Sequence, residues 1–228
     1  MKSNLENKMS SHHIVRDDQE PALIIANGQE CSMELLGQLL EWSPIIIVLD
    51  NAIERVLQLD IKVDVLLGDF DDNFNPEIYK EKQFPLEIVH TPNQDKTDLE
   101  KAFDYLIEKG HQAVNVVWAT GKRADHTITN ITNIVRFRNK LKIVILDDHS
   151  KIFLLPNKFE KWYPKNTPIS LIPIGKVSEI TTENLFYPLR NEELIIGYRT
   201  GSSNHVTEDG IVKIEHFQGD LLLMECFD

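Results

Sequence analysis

The sequence predicts an α/β protein in two parts: an N-terminal, doubly wound, mostly parallel sheet domain and a smaller antiparallel β-sandwich after it. Three observations carry that expectation. Up to about residue 150, short and nearly continuous apolar runs alternate with segments of helical period, the pattern of strands covered on both faces. Beyond that point the helical periods stop, and β-rich runs follow one another between Pro156, Pro164, Pro168, Pro173 and Pro188. The length, 228 residues, suits one large domain or two modest ones. The expected organisation is a flexible polar tail over 1–20, the α/β domain over 21–149 and the β-sandwich over 150–228.

In chain order, residues 22–26, 45–49, 63–67, 87–90, 113–119 and 142–146 read as the strands of the first part. Residues 32–42, 51–59, 76–81, 97–109 and 125–139 read as its helices. The helix over 97–109 is the most fully specified. Thr97-Asp98-Leu99-Glu100 forms a capping box, in which the Thr hydroxyl and the Glu carboxylate satisfy free backbone N–H groups. Leu99, Ala102, Phe103, Leu106 and Ile107 make one apolar stripe, and Gly110 stands where a left-handed stop is expected. In the second part, 151–155, 169–173, 194–198 and 211–217 have β character, and Gln218-Gly219-Asp220 offers a turn into 221–227. Gly201-Ser202-Ser203-Asn204-His205 reads as a polar loop between strands.

Composition excludes several classes. A net charge of −12 argues against nucleic-acid or anionic-membrane partners, and means that an anionic substrate needs local help from metal ions or Arg and Lys. Cys31 and Cys226 are far apart and form no metal or redox motif, as expected of free thiols in a reducing compartment. The first 20 residues lack the apolar core of a signal peptide, and no run approaches the roughly 18 apolar residues of a membrane span. A soluble, cytoplasmic protein is expected.

Chemistry is suggested at the ends of the predicted parallel strands, where ligands of doubly wound sheets bind. After the strand 63–67 comes Gly68, then Asp69 and Asp71 one residue apart. In extended backbone these two carboxylates face the same side. Two carboxylates about 4 Å apart repel by roughly 4 kcal/mol at an effective dielectric near 20, which a hard divalent cation such as Mg²⁺ offsets. Asn93-Gln94-Asp95-Lys96-Thr97-Asp98 brings further acids to a helix start, and Asp98 would complete the oxygen site. Asp50 ends another strand. Gly121-Lys122-Arg123 sets cations before a helix N-terminus, a setting suited to phosphate, although it lacks the phosphate-loop pattern G-x-x-x-x-G-K-[ST].

Taken in order, these motifs resemble the thiamine pyrophosphokinase (thiamine diphosphokinase) family. The G-D-F-D of 68–71 matches its signature, and Gln94-Asp95-Lys96-Thr97-Asp98 is similar to its Q-D-x-T-D. Gly121-Lys122-Arg123-Ala124-Asp125-His126 is similar to G-G-R-x-D-H, with Asn130 at the family's following Asn, and Ser202-Ser203-Asn204 to its T-S-N. The resemblance implies transfer of a pyrophosphoryl group from ATP to the thiamine hydroxyl, giving thiamine diphosphate and AMP. It implies Mg²⁺ on Asp69, Asp71 and Asp98, with Asp50 and Asp95 nearby. Gln94, Thr97, Arg123 and Asp125 would face the nucleotide, while Ser202, Ser203 and Asn204 would hold thiamine; Lys122, a departure from the family's Gly, is expected to add its own charge toward the nucleotide. A homodimer with sites shared between chains is also implied. The chain departs from the family at Asn51-Ala52, where Gly is frequent, and at Trp118, Ala119 and Lys122 of the Gly-rich loop. Two rival classes remain at this level. An aspartate-nucleophile phosphatase would use Asp69 and Asp71 with Asp147-Asp148, although Asn73 fails its motif; a non-catalytic thiamine or nucleotide sensor is the other.

Overall fold

The first strands carry apolar side chains on both sides, so both faces of their sheet must be covered, and helices cover them. The computed structural model describes residues 22–70 and 74–227; the predicted tail lies outside them. Six strands, β1 (Ala22–Ile25), β2 (Ile45–Leu49), β3 (Val65–Gly68), β4 (Glu87–His90), β5 (Ala113–Val117) and β6 (Lys142–Leu146), pair in parallel in the order β4-β3-β2-β1-β5-β6. Leu23, Ile25 and Val48 point to one face, where Leu36 and Leu39 of α1 (Met33–Leu40) and Ile53 and Val56 of α2 (Ala52–Leu57) meet them. Ile24, Ile47 and Val116 point to the other, against Phe103 and Leu106 of α3 (Asp98–Glu108) and Phe137 of α4 (Ala124–Phe137). The capping box of α3 is present with both of its hydrogen bonds. Gly110, at φ +86°, ends that helix, where the N–H of His111 reaches back to the Leu106 carbonyl. Strand order reverses between β1 and β5, which makes the space above these two strands the switch point of the sheet.

The second part comprises β7 (Ser150–Leu154), β8 (Lys158–Tyr163), β9 (Pro168–Glu183), β10 (Arg190–Ile195), β11 (Gly201–His205), β12 (Gly210–Glu215) and β13 (Gln218–Cys226). It is antiparallel, as expected, and continuous with the first part: β6 turns back into β7, and β7 pairs with β13. Strand β9 binds the layers together by pairing with β13 and β11 and also with β10 and β12.

Several elements differ from expectation, each for a physical reason. Strand β9 runs 16 residues, well beyond the expected 169–173, because left-handed Gly175 and Glu179 and the shifted registers with its neighbours absorb its breaks as bends. Strand β8, at the edge of the sheet, exposes Lys158, Glu160 and Trp162 on one side and turns Phe159, Lys161 and Tyr163 inward on the other. The expected loop 201–205 is a strand, because β9 supplies its ladder. Residues 76–81 yield only a single 3₁₀ turn, Pro76–Tyr79. Cys31 and Cys226 are both half-buried thiols outside any disulfide, and burial pushes the Cys31 thiol up to about 11. Among the described residues, no helix is long and apolar enough to cross a membrane.

Candidate active site

Loops leaving the carboxyl ends of β1, β2, β3 and β5 meet the N-termini of α3 and α4 around a cleft of about 420 Å³. Its two sides are joined at the switch point by backbone hydrogen bonds: Ala26 N–H to the Val117 carbonyl (3.0 Å), Gly28 to Trp118 (2.6 Å) and Gln29 to Thr120 (2.8 Å). This contact needs glycine. A Cβ on Gly28 would lie 2.3 Å from the Trp118 carbonyl oxygen, and one on Gly121 would lie 2.5 Å from Gln29 Cβ.

The acidic side of the cleft is built from β2, β3 and α3. Asp50 leaves β2 in the left-handed region (φ +45°), with its N–H on the Leu67 carbonyl. It passes so close to β3 that a Cβ on Gly68 would sit 3.2 Å from Asp50 Cα. Asp69 follows Gly68, and its carboxylate accepts a hydrogen bond from Gln94 Nε2 at 3.0 Å. Asp98 opens α3. Between the two carboxylates lies Lys101, one turn further along that helix. Its Nζ is 3.0 Å from Asp98 Oδ1 and 3.9 Å from Asp69 Oδ2, and its side chain is only 6% exposed. Next to Asp69, the Phe70 ring stacks on Phe74 and on His90, which anchors the strand end.

The basic side comes from the β5–α4 loop. Lys122, also left-handed (φ +50°), directs its ammonium to the Asn27 carbonyl at 3.2 Å. Arg123 forks onto Asp125 at 3.1 and 2.5 Å; both are exposed, and the guanidinium holds the Asp125 carboxyl down to about 2. Asn130, one turn and a half into α4, donates to the Ala119 carbonyl at 2.8 Å and fixes the loop from below. Trp118 stands at φ +58°, a conformation that explains why glycine suits the position. Its indole is buried in the core on the α1 and α2 side, with the Arg55 guanidinium 4.6 Å above it.

Of the residues singled out by sequence, Asp50, Asp69, Gln94, Thr97, Asp98, Lys122 and Arg123 line this cleft. The Thr97 hydroxyl is engaged in the α3 cap. Asp95 and Asp125 stand outside the lining, and Asp71 lies outside the described residues. Among those described, no three His, Cys, Asp or Glu side chains cluster to hold a metal; Asp69 and Asp98 contribute two carboxylates already converging on a cation, the Lys101 ammonium. Ser202, Ser203 and Asn204 lie on β11 and do not line the cleft. Asn204 is buried, and its carboxamide bridges the N–H and C=O of Tyr187 at 2.9 Å each, which sets the Phe186 ring against His205. Asp147 and Asp148, the acids a phosphatase would require, tie loops together: Asp147 takes the Thr120 hydroxyl and Asp148 the Ser32 N–H. Sequence reasoning missed Asn27, Gly28 and Lys101; for Lys101 the available signal was its position three residues after Asp98 on one helix.

A polar cleft with mixed charge at the switch point of a parallel sheet defines an α/β protein built to bind a charged small molecule. Comparison with known proteins narrows that class. The family "Thiamin pyrophosphokinase, catalytic domain" matches residues 36–145, and "Thiamin pyrophosphokinase, vitamin B1 binding domain" matches residues 157–221. The chain is similar to thiamine pyrophosphokinase of Bacillus subtilis, 31% identical over 144 residues, which are 61% of this chain and 67% of that one. It is also similar to thiamine pyrophosphokinase 1 of Oryza sativa subsp. japonica, 34% identical over 170 residues, covering 68% of this chain and 63% of the relative. The crystal structure of the Bacillus subtilis protein superposes with a TM-score of 0.76 at 26% identity, over 91% of this chain and 99% of that one. The chain belongs to the thiamin pyrophosphokinase family.

Proposed function

We propose that this chain works as follows. It is an ATP:thiamine diphosphotransferase: the thiamine hydroxyl attacks the β-phosphorus of ATP, the bond from that phosphorus to the oxygen of the AMP portion breaks, and thiamine diphosphate and AMP leave. The observation that carries the site assignment is the convergence of Asp69 and Asp98 on one cation position at the floor of the switch-point cleft. In this assignment Asp69, Asp71 and Asp98 would hold Mg²⁺, which would supply positive charge against the triphosphate. The chain's own side chains do the rest. Gln94 fixes the Asp69 carboxylate, and Lys122 and Arg123 bring cations to the phosphates at the start of α4. Arg123 is exposed enough to exchange Asp125 for a phosphate oxygen. Thr97 caps the helix that presents Asp98, Asp50 and Asp95 add negative charge around the site, and Asp71 accepts the hydroxyl proton.

We assign residues 21–149 to nucleotide binding and 150–228 to thiamine binding and dimerisation. Ser202, Ser203 and Asn204 lie away from the cleft of their own chain, which supports a site completed by the β-sandwich of a second copy. The balance of −12 favours approach of the thiamine cation to such an assembly. One assay tests the reaction: incubation with ATP, Mg²⁺ and thiamine, followed by separation of the products. AMP with thiamine diphosphate is expected; ADP with thiamine monophosphate, or no turnover, overturns it. Omission of Mg²⁺ should abolish turnover. Sedimentation should give twice the 26.3 kDa of one chain.

A further inference from the structure

The least expected group in the cleft is Lys101. An ammonium only 6% exposed depends on its ion pairs, and its partners are Asp98 at 3.0 Å and, more loosely, Asp69 at 3.9 Å. It rises from the first turn of α3, whose apolar stripe is packed into the sheet, so its backbone is fixed while the ammonium, on a flexible stem, can change partners. Gln94 holds Asp69 from another side. The same two carboxylates thus converge on one ammonium, which offsets part of their charge before any ligand arrives.

We propose that Lys101 is the built-in counter-ion of the acid pair: it keeps Asp69 and Asp98 together in the unliganded enzyme and opposes uptake of a divalent cation on its own, so that metal is accepted only with the nucleotide. The proposal rests on the metal reading of these acids given above. A divalent cation placed between the carboxylates stands within a few ångströms of the ammonium, and that repulsion is large at any interior dielectric. A triphosphate removes the conflict, because its oxygens provide a second destination for the ammonium and further ligands for the metal. Lys101 is a positioning residue in this scheme. Its effect is on the order of binding, and through it on turnover.

The test uses Mn²⁺ as probe, with free and bound ion measured by electron paramagnetic resonance on the whole chain. Wild type should bind Mn²⁺ weakly alone and tightly beside a non-hydrolysable ATP analogue. Lys101→Met should bind Mn²⁺ alone roughly tenfold or more tightly than wild type, because the competing charge is gone. Lys101→Arg, which keeps the charge, should stay near wild type. A merely structural role for Lys101 predicts the opposite sign: the Met variant would disorganise the acids and loosen Mn²⁺. Mn²⁺ binding by Lys101→Met no tighter than wild type therefore overturns the proposal. Lys101→Gln serves as a second neutral variant, with circular dichroism confirming the fold of each. Asp98→Asn separates the two levels: if Mn²⁺ uptake with nucleotide survives that change, the metal reading itself fails and the proposal with it. If uptake is lost in Asp98→Asn but Lys101→Met matches wild type, only the counter-ion role fails.

Discussion

Gly28→Ala adds one methyl group where the β1 and β5 loops are closed on each other. The new Cβ would sit 2.3 Å from the Trp118 carbonyl oxygen and 2.4 Å from that of Thr120, both backbone atoms. Reaching even a tight 3.0 Å contact requires one loop to retreat by about 0.7 Å, the difference between 3.0 and the 2.3 Å found. The glycine is outside the left-handed region, so space alone sets the penalty. The retreat strains three backbone hydrogen bonds across the switch point, at about 1 kcal/mol each if broken. A loss of about 2–3 kcal/mol follows, or roughly 4–12 °C in Tm for a chain of this size. The displaced loop also carries Lys122 and Arg123, so the Michaelis constant for ATP should rise by about tenfold or more while that for thiamine changes little. Thermal unfolding and steady-state kinetics measure both. A Gly28→Ala variant with wild-type Tm and an unchanged ATP constant would show that the two loops are not the rigid wall of the nucleotide site.

The other predictions follow from single contacts. Asp98→Asn should lower turnover by about 10²-fold or more and, because it leaves the buried Lys101 ammonium with only Asp69 at 3.9 Å, should also cost about 3 kcal/mol in urea unfolding. Asn204→Ala removes both bonds to the Tyr187 backbone; about 2 kcal/mol of stability should go, and calorimetry should find thiamine binding weakened with ATP binding intact. Glu225→Gln leaves the Lys151 ammonium buried beside an uncharged partner and should cost about 3–5 kcal/mol. The same carboxylate sets an acid limit. Burial alone would raise its pKa, but Lys151 and Lys161, with hydrogen bonds from Lys161 and Tyr163, outweigh that and hold it below the ordinary 4.5. A depressed folded-state pKa gives stability present above the unfolded value and lost as pH falls through the folded one. Denaturation midpoints should therefore decline below about pH 4.5 in wild type, and less steeply in Glu225→Gln.

The parallel half of the fold was legible because its strands are buried on both faces, so apolar runs such as 45–49 and 142–146 admit little else. The α3 helix was legible to its cap, since Thr97, Glu100 and Gly110 act locally. The β half was harder to read because its strands are fixed by partners far away in sequence. Strand β11 is polar and becomes a strand only when β9 provides a ladder, and β9 survives its own bends because four other strands hold it. In the site, acids stood out as motifs, whereas Gly28 and Lys101 did not. Glycine at 28 answers a carbonyl 90 residues later, and a lysine on a helix reads as solvated until the sheet end buries it.

An acidic chain that handles a polyanion must solve its charge problem locally, and the cleft shows how. Among the described residues, its lining sets Lys96, Lys101, Lys122 and Arg123 against Asp50, Asp69 and Asp98, four basic groups to three acidic ones, in a chain of net charge −12. The acids stand after β2 and β3 and at the start of α3, with Lys96 and Lys101 among them, while Lys122 and Arg123 lie across the switch point on the loop after β5. In the proposed assignment, a triphosphate laid across the cleft would meet the side-chain cations of the β5 loop at one end and the acidic wall at the other. Lys101 is the buried cation of the acidic wall, and it allows that wall to exist before the ligand does.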